Sequence, residues 1–116
     1  SKGGSSGWEQ GMMKQLDLIE AGSYRDAVTR TERMKSYIAE RGGESEAVAT
    51  LLGKASGYLA VSELKIVRAR TVIVSPELAL PAVKALVQSY LRDIVSDVKA
   101  ANQVLLEVAK AVKGSR

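Results

Sequence analysis

Apolar positions recur along this chain at steps of three and four residues, the spacing that collects side chains on one face of an α-helix. Trp8, Met12, Leu16 and Ile19 share one side of a first segment, whose other positions include Glu9, Lys14, Asp17 and Glu20. In a second segment Tyr24, Val28, Met34 and Ile38 point inward, and Asp26 stands four residues before Arg30 to support a solvent face. A third stripe runs through Val48, Leu52, Ala55, Leu59, Ile66, Ala69 and Ile73, interrupted only by Ser62. Leu51, Tyr58, Leu64, Val67 and Val72 widen it, as expected of a central helix that touches more than one neighbour. The fourth stripe, Val83, Val87, Tyr90, Ile94, Val98, Ala101, Leu105, Val108 and Val112, keeps a mean spacing near the period of about 3.6 of a straight helix.

The breakers between these stripes set the boundaries. Gly22, the pair Gly42-Gly43, and Pro76 with Pro81 divide the chain into helices at about 8–21, 24–41, 44–74 and 81–113. Gly22 is suited to the left-handed conformation that ends a helix, and Ser23 with Asp26 forms a start signal, so a tight antiparallel hairpin is predicted there. Ser75-Pro76-Glu77 is a helix-start signature, but Pro81 should break a helix begun there. The expectation is a short turn at Pro76 and a main helix from about Pro81. The fold class implied is all-α: an elongated antiparallel four-helix bundle, two long helices forming a hairpin of roughly 45 Å with the shorter pair packed along it. Residues 8–113 form one domain, with flexible tails at 1–7 (SKGGSSG) and 114–116.

Composition narrows the chemistry. The 116 residues include no Cys and no His, which removes disulfides, thiolate nucleophiles, soft-ligand zinc sites and the usual general base near neutral pH. Phe is absent too, so a core drawn from the 46% hydrophobic residues must be mainly aliphatic. With Asn102 the only Asn, the set of labile side chains is small, a composition that resembles heat-adapted proteins. Seventeen Lys and Arg against thirteen Asp and Glu give a net charge of +4, dispersed through the chain. No run reaches the roughly 18 to 20 apolar residues of a membrane span, and a cytoplasmic location is predicted.

Two groups of residues are candidates for contact with other molecules. Gly53 and Gly57 stand one turn apart beside Ala49, Ser56 and Ala60, forming a small-residue seam for close packing, either within the bundle or in self-association. Packing within the bundle is the favoured of the two. Lys65, Arg68 and Arg70, with Thr71, are candidates for an acidic partner, a lipid headgroup or a phosphate, set against the plainer reading of a solvated face near Glu63. Asp93 and Asp97, and Glu44 and Glu46, read as surface and helix-start residues, since a carboxylate-bridged metal pair in a helical bundle draws on His as well. No cofactor, metal or small-molecule substrate is predicted, and no catalytic residue.

Leu18 to Val28 (LIEAGSYRDAV) is similar to the hairpin turn of ESCRT-III proteins of the archaeal cell-division type. Glu32-Arg33-Met34-Lys35 resembles that family's charged second helix, and Leu59 to Val72 (LAVSELKIVRARTV) its apolar-acidic-Arg-Thr stretch. The resemblance covers Leu18 to about Val74 and departs from the family at the Arg41-Gly42-Gly43 break and in its short first helix. It implies a polymerising, membrane-remodelling subunit, with Lys65, Arg68 and Arg70 as its basic surface. The sequence therefore points to a non-enzymatic protein-interaction or assembly module, acting on a protein partner, itself or an acidic membrane. A small nucleic-acid-binding subunit is the alternative, and an enzyme using only Lys, Arg, Glu or Tyr ranks last.

Overall fold

The computed structural model describes residues 7–114, and all the regular structure within them is helical. The predicted tails therefore lie outside the described residues, except for Gly7 and Gly114, which open the first helix and close the last. The helices are α1 (Gly7–Ile19), α2 (Arg25–Arg41), α3 (Glu46–Val74) and α4 (Leu80–Gly114), with a wide π-helical turn, Glu20–Tyr24, between the first two.

The four helical segments form three rods, not four. Gly22 does not adopt the left-handed conformation expected of it. Its φ of −99° and ψ of −107° put a kink in a chain that otherwise stays helical on both sides. Ser23 accordingly caps nothing, and Tyr24 holds the residue position before α2 with helical dihedrals and no side-chain cap. Contacts with α3 show the direction of travel. Ile38 shares a cluster with Val48 and Leu52, the Tyr24 hydroxyl reaches Glu63, and Arg70 reaches Glu20 and Asp17. Moving backwards along the first rod thus means moving steadily forwards along α3, so α1 and α2 lie end to end and Leu18 to Val28 does not reverse the chain. The predicted hairpin fails because a wide turn keeps the apolar residues on both sides, Leu16 and Ala27, aimed into the same core.

The other boundaries reflect local chemistry. Gly42, with φ 69°, is the left-handed residue that ends α2, and its amide donates to the Ile38 carbonyl at 2.8 Å. The Ser45 hydroxyl accepts from the Val48 amide at 3.1 Å and starts α3, two residues after the predicted Glu44. Pro76 and Glu77 form a turn, and Pro81 sits in the first turn of α4, where its missing amide leaves no bond unmade.

The molecule measures 61 × 18 × 15 Å, longer than 45 Å because α4 spans 35 residues and the rods are staggered. Its core has two parts along the long axis. One centres on Leu16, Ile66, Ile73, Val83, Val87 and Ile94, with Trp8 packed against it, and the other on Ile38, Val48, Leu52, Leu105 and Val108. Burying each of these aliphatic side chains contributes about 2 kcal/mol. Since α2 and α4 both run antiparallel to α3, they lie parallel to one another, and α3 is the central helix of the chain path.

Candidate interaction surfaces

The three cations predicted as one basic site point in three directions. Lys65 turns to α4, where its ammonium donates to Asp97 at 2.8 Å and lies 3.9 Å from Asp93. Arg70 turns to α1 and forks between Asp17 at 2.8 Å and Glu20 at 2.7 Å, carboxylates three residues apart on one helical face. The hydrogen bonds Arg70 donates to Asp17 and Glu20 outweigh burial and raise its pKa, so this charge is fixed at every working pH. Arg68 alone stays on the exposed outer surface. Two of the three charges therefore fasten neighbouring helices to α3, a use that the run Lys65-Ile66-Val67-Arg68-Ala69-Arg70 does not announce, because adjacent helical positions diverge by about 100°.

Gly53 and Gly57 are exposed, and a Cβ built on either meets nothing within 4 Å. The favoured explanation, close packing inside the bundle, does not hold: no neighbouring helix approaches them. They belong to a longer feature. From Ala49 to Val74 the outer face of α3 exposes Ala49, Thr50, Gly53, Gly57, Ala60, Val61, Leu64, Val67, Thr71 and Val74, with Lys54, Glu63 and Arg68 as its only exposed charges. Leu64 is 49% and Val67 54% exposed, so these are bare apolar side chains and not the edge of a core. By contrast α2 exposes Arg25, Asp26, Arg30, Glu32, Arg33, Lys35, Glu40 and Arg41, which is what a solvated helix face looks like. The apolar pattern alone assigns Leu64 and Val67 to a widened core stripe, and the structure corrects this. The signal that separates them is angular, since both lie well away from the Leu59-Ile66-Ile73 line.

A second surface lies along the seam between α2 and α4, an open groove of about 710 Å³. Met34, Leu105, Leu106 and Ala109 form its floor, and Arg30, Arg33 and Lys113 stand at its edges. Arg30 donates to the Asn102 side-chain oxygen at 3.0 Å and so bridges the two helices. Tyr37 lines the lower end with the Arg41 guanidinium 4.5 Å from its ring centroid. The helical stripe puts Met34 in the core and gives no hint of a groove beside it. The groove's trace in the sequence is Leu106, an apolar residue just off the α4 stripe, and the spacing of Arg30, Arg33 and Tyr37 on one side of α2.

Among the described residues no group of three or more Asp or Glu is placed to hold a metal ion, and no helix is long and apolar enough to cross a membrane. Asp93 and Asp97 face Lys65 instead. No family model matches the chain, and no curated protein or solved structure matches it either.

Proposed function

We propose that this chain is a non-catalytic assembly module that buries the outer face of α3 against the same face of a second copy. The observation that carries this reading is the exposed, charge-poor surface from Ala49 to Val74 on a helix whose inner side is already fully packed. Contiguous apolar surface of this kind favours association, because covering it releases about 25 cal/mol per Å². Gly53 and Gly57 cost α3 on the order of 1 kcal/mol each relative to Ala, and nothing inside the bundle repays that. In an interface they let a partner backbone come close, and Leu64 and Val67 supply the side chains that fill the space.

Sedimentation equilibrium across a concentration series tests the proposal. The expected result is a concentration-dependent dimer or larger assembly, converted to monomer by Gly57→Arg or Leu64→Arg with the helical dichroism spectrum retained. A wild-type chain that stays monomeric overturns it. The ESCRT-III-like resemblance extends the reading to a polymer on acidic membranes, for which Lys54 and Arg68, the latter among Leu64, Val67 and Val74, are the basic support on this face. Co-sedimentation with phosphatidylserine vesicles that is lost in Arg68→Glu is the result this extension requires.

A further inference from the structure

The groove between α2 and α4 is a separate surface, since none of its lining residues belongs to α3. Parallel helices meet here at short side chains, Asn102 and Ala109, which leave the seam unfilled and Leu106, which lines it, 58% exposed. Between Asn102 and Lys113 on α4 the trough runs for about 16 Å, or three helical turns. Its floor is aliphatic, and every charged side chain that lines it is a cation.

We infer that this groove receives an acidic amphipathic helix from a separate protein. The helix's apolar row lies on Met34, Leu105, Leu106 and Ala109, and its flanking carboxylates meet Arg33 and Lys113. Charge complementarity selects this occupant over the others. A second copy brings a net charge of +4, and its charge-poor α3 face offers Glu63 as the only exposed carboxylate between Ala49 and Val74. A nucleic acid would satisfy the cations but not the floor. Bases stack on aromatic faces, and Tyr37, the single aromatic residue in the groove, has Arg41 over its ring. Three turns of an apolar trough with charged edges suit a helix presenting large residues at i, i+3 or i+4, and i+7.

The test uses the full chain and a labelled synthetic peptide of about 16 residues, helical by design, with Leu and Ile on one face and Glu on its flanks. A second peptide keeps the apolar face and replaces each Glu by Lys. Fluorescence anisotropy is expected to show binding of the acidic peptide, at least about tenfold weaker in the double variant Arg33→Glu/Lys113→Glu and in Leu106→Asp, and weaker again at raised salt. All three positions are exposed, so these variants should fold, and a dichroism spectrum checks each. Equal binding of the two peptides, or binding of neither, overturns the inference. So does tighter binding of a single-stranded oligonucleotide that Arg33→Glu/Lys113→Glu abolishes. The groove variants should leave self-association through α3 unchanged and Gly57→Arg should leave peptide binding unchanged, so the failure of one reading does not mimic the failure of the other.

Discussion

Individual residues in this chain show how burial decides what a polar group is worth. Ser62 is fully buried in the middle of an apolar stripe, and its hydroxyl finds no hydrogen-bond partner. Thr31, whose hydroxyl is buried too, donates to the Ala27 carbonyl at 2.8 Å and incurs no such cost. Ser62→Ala should therefore raise the unfolding free energy by roughly 1 kcal/mol, read from urea denaturation, because it removes an unpaired group without opening a cavity. Tyr24 makes the opposite case. Burial first, then the charge and hydrogen bond of Glu63 at 3.3 Å, raises its hydroxyl pKa above the ordinary 10.0. The folded chain holds this proton more tightly than the unfolded chain does. The resulting stability is complete below pH 10.0 and is lost as pH rises through the folded-state value. Urea midpoints measured from about pH 8 to about pH 11 should fall less steeply at the alkaline end in Tyr24→Phe than in the wild type.

At the scale of the helix, the same residue type plays three different parts. Gly42 is needed for its positive φ at the end of α2, and Gly22 marks a kink. Gly53 and Gly57 lie in ordinary helix with open space beyond them. Gly53→Ala and Gly57→Ala should each stabilise the monomer by roughly 0.5 to 1 kcal/mol, since Ala loses less backbone entropy and collides with nothing. Thermal unfolding of dilute samples measures this. Any loss of stability there would reveal a packing role that the structure does not contain. Arg70 acts at this scale as well, holding the end of α1 to α3 just before the kink. The partners are part exposed, so its ion pairs contribute up to about 1 kcal/mol and serve mainly to fix the position of α1.

The whole molecule presents its surfaces unequally. Three rods in a triangular bundle leave three outer faces, of which α2 and the outer side of α4 are well charged and α3 is not. The seams differ too: α3 packs closely with α4, whereas the parallel pair α2 and α4 leaves a trough with cationic edges. A charge-poor, apolar face and a groove with cationic edges therefore lie on different sides of one small body.

The order of amino acids was enough to establish that the chain is helical, where α2 ends, and most of the aliphatic residues that line the core. Periodicity reports the inward side of each helix, and Gly42 and Pro81 act on bonds within a few residues of themselves. It was not enough to establish how the helices run or what the outward residues do. Whether Gly22 reverses the chain or only bends it depended on where Leu16 and Ala27 could both be buried, a question of distant partners, among them Leu59 and Ile66. Lys65 and Arg70 look like free cations until Asp97, Asp17 and Glu20 are folded against them. Gly53, Gly57, Leu64 and Val67 look like packing residues until the neighbours that would cover them turn out to lie on the other side of α3. In each case the missing information was long-range: a side chain's role depends on what faces it, and that is fixed by how the rods pack, not by any stretch of chain taken alone.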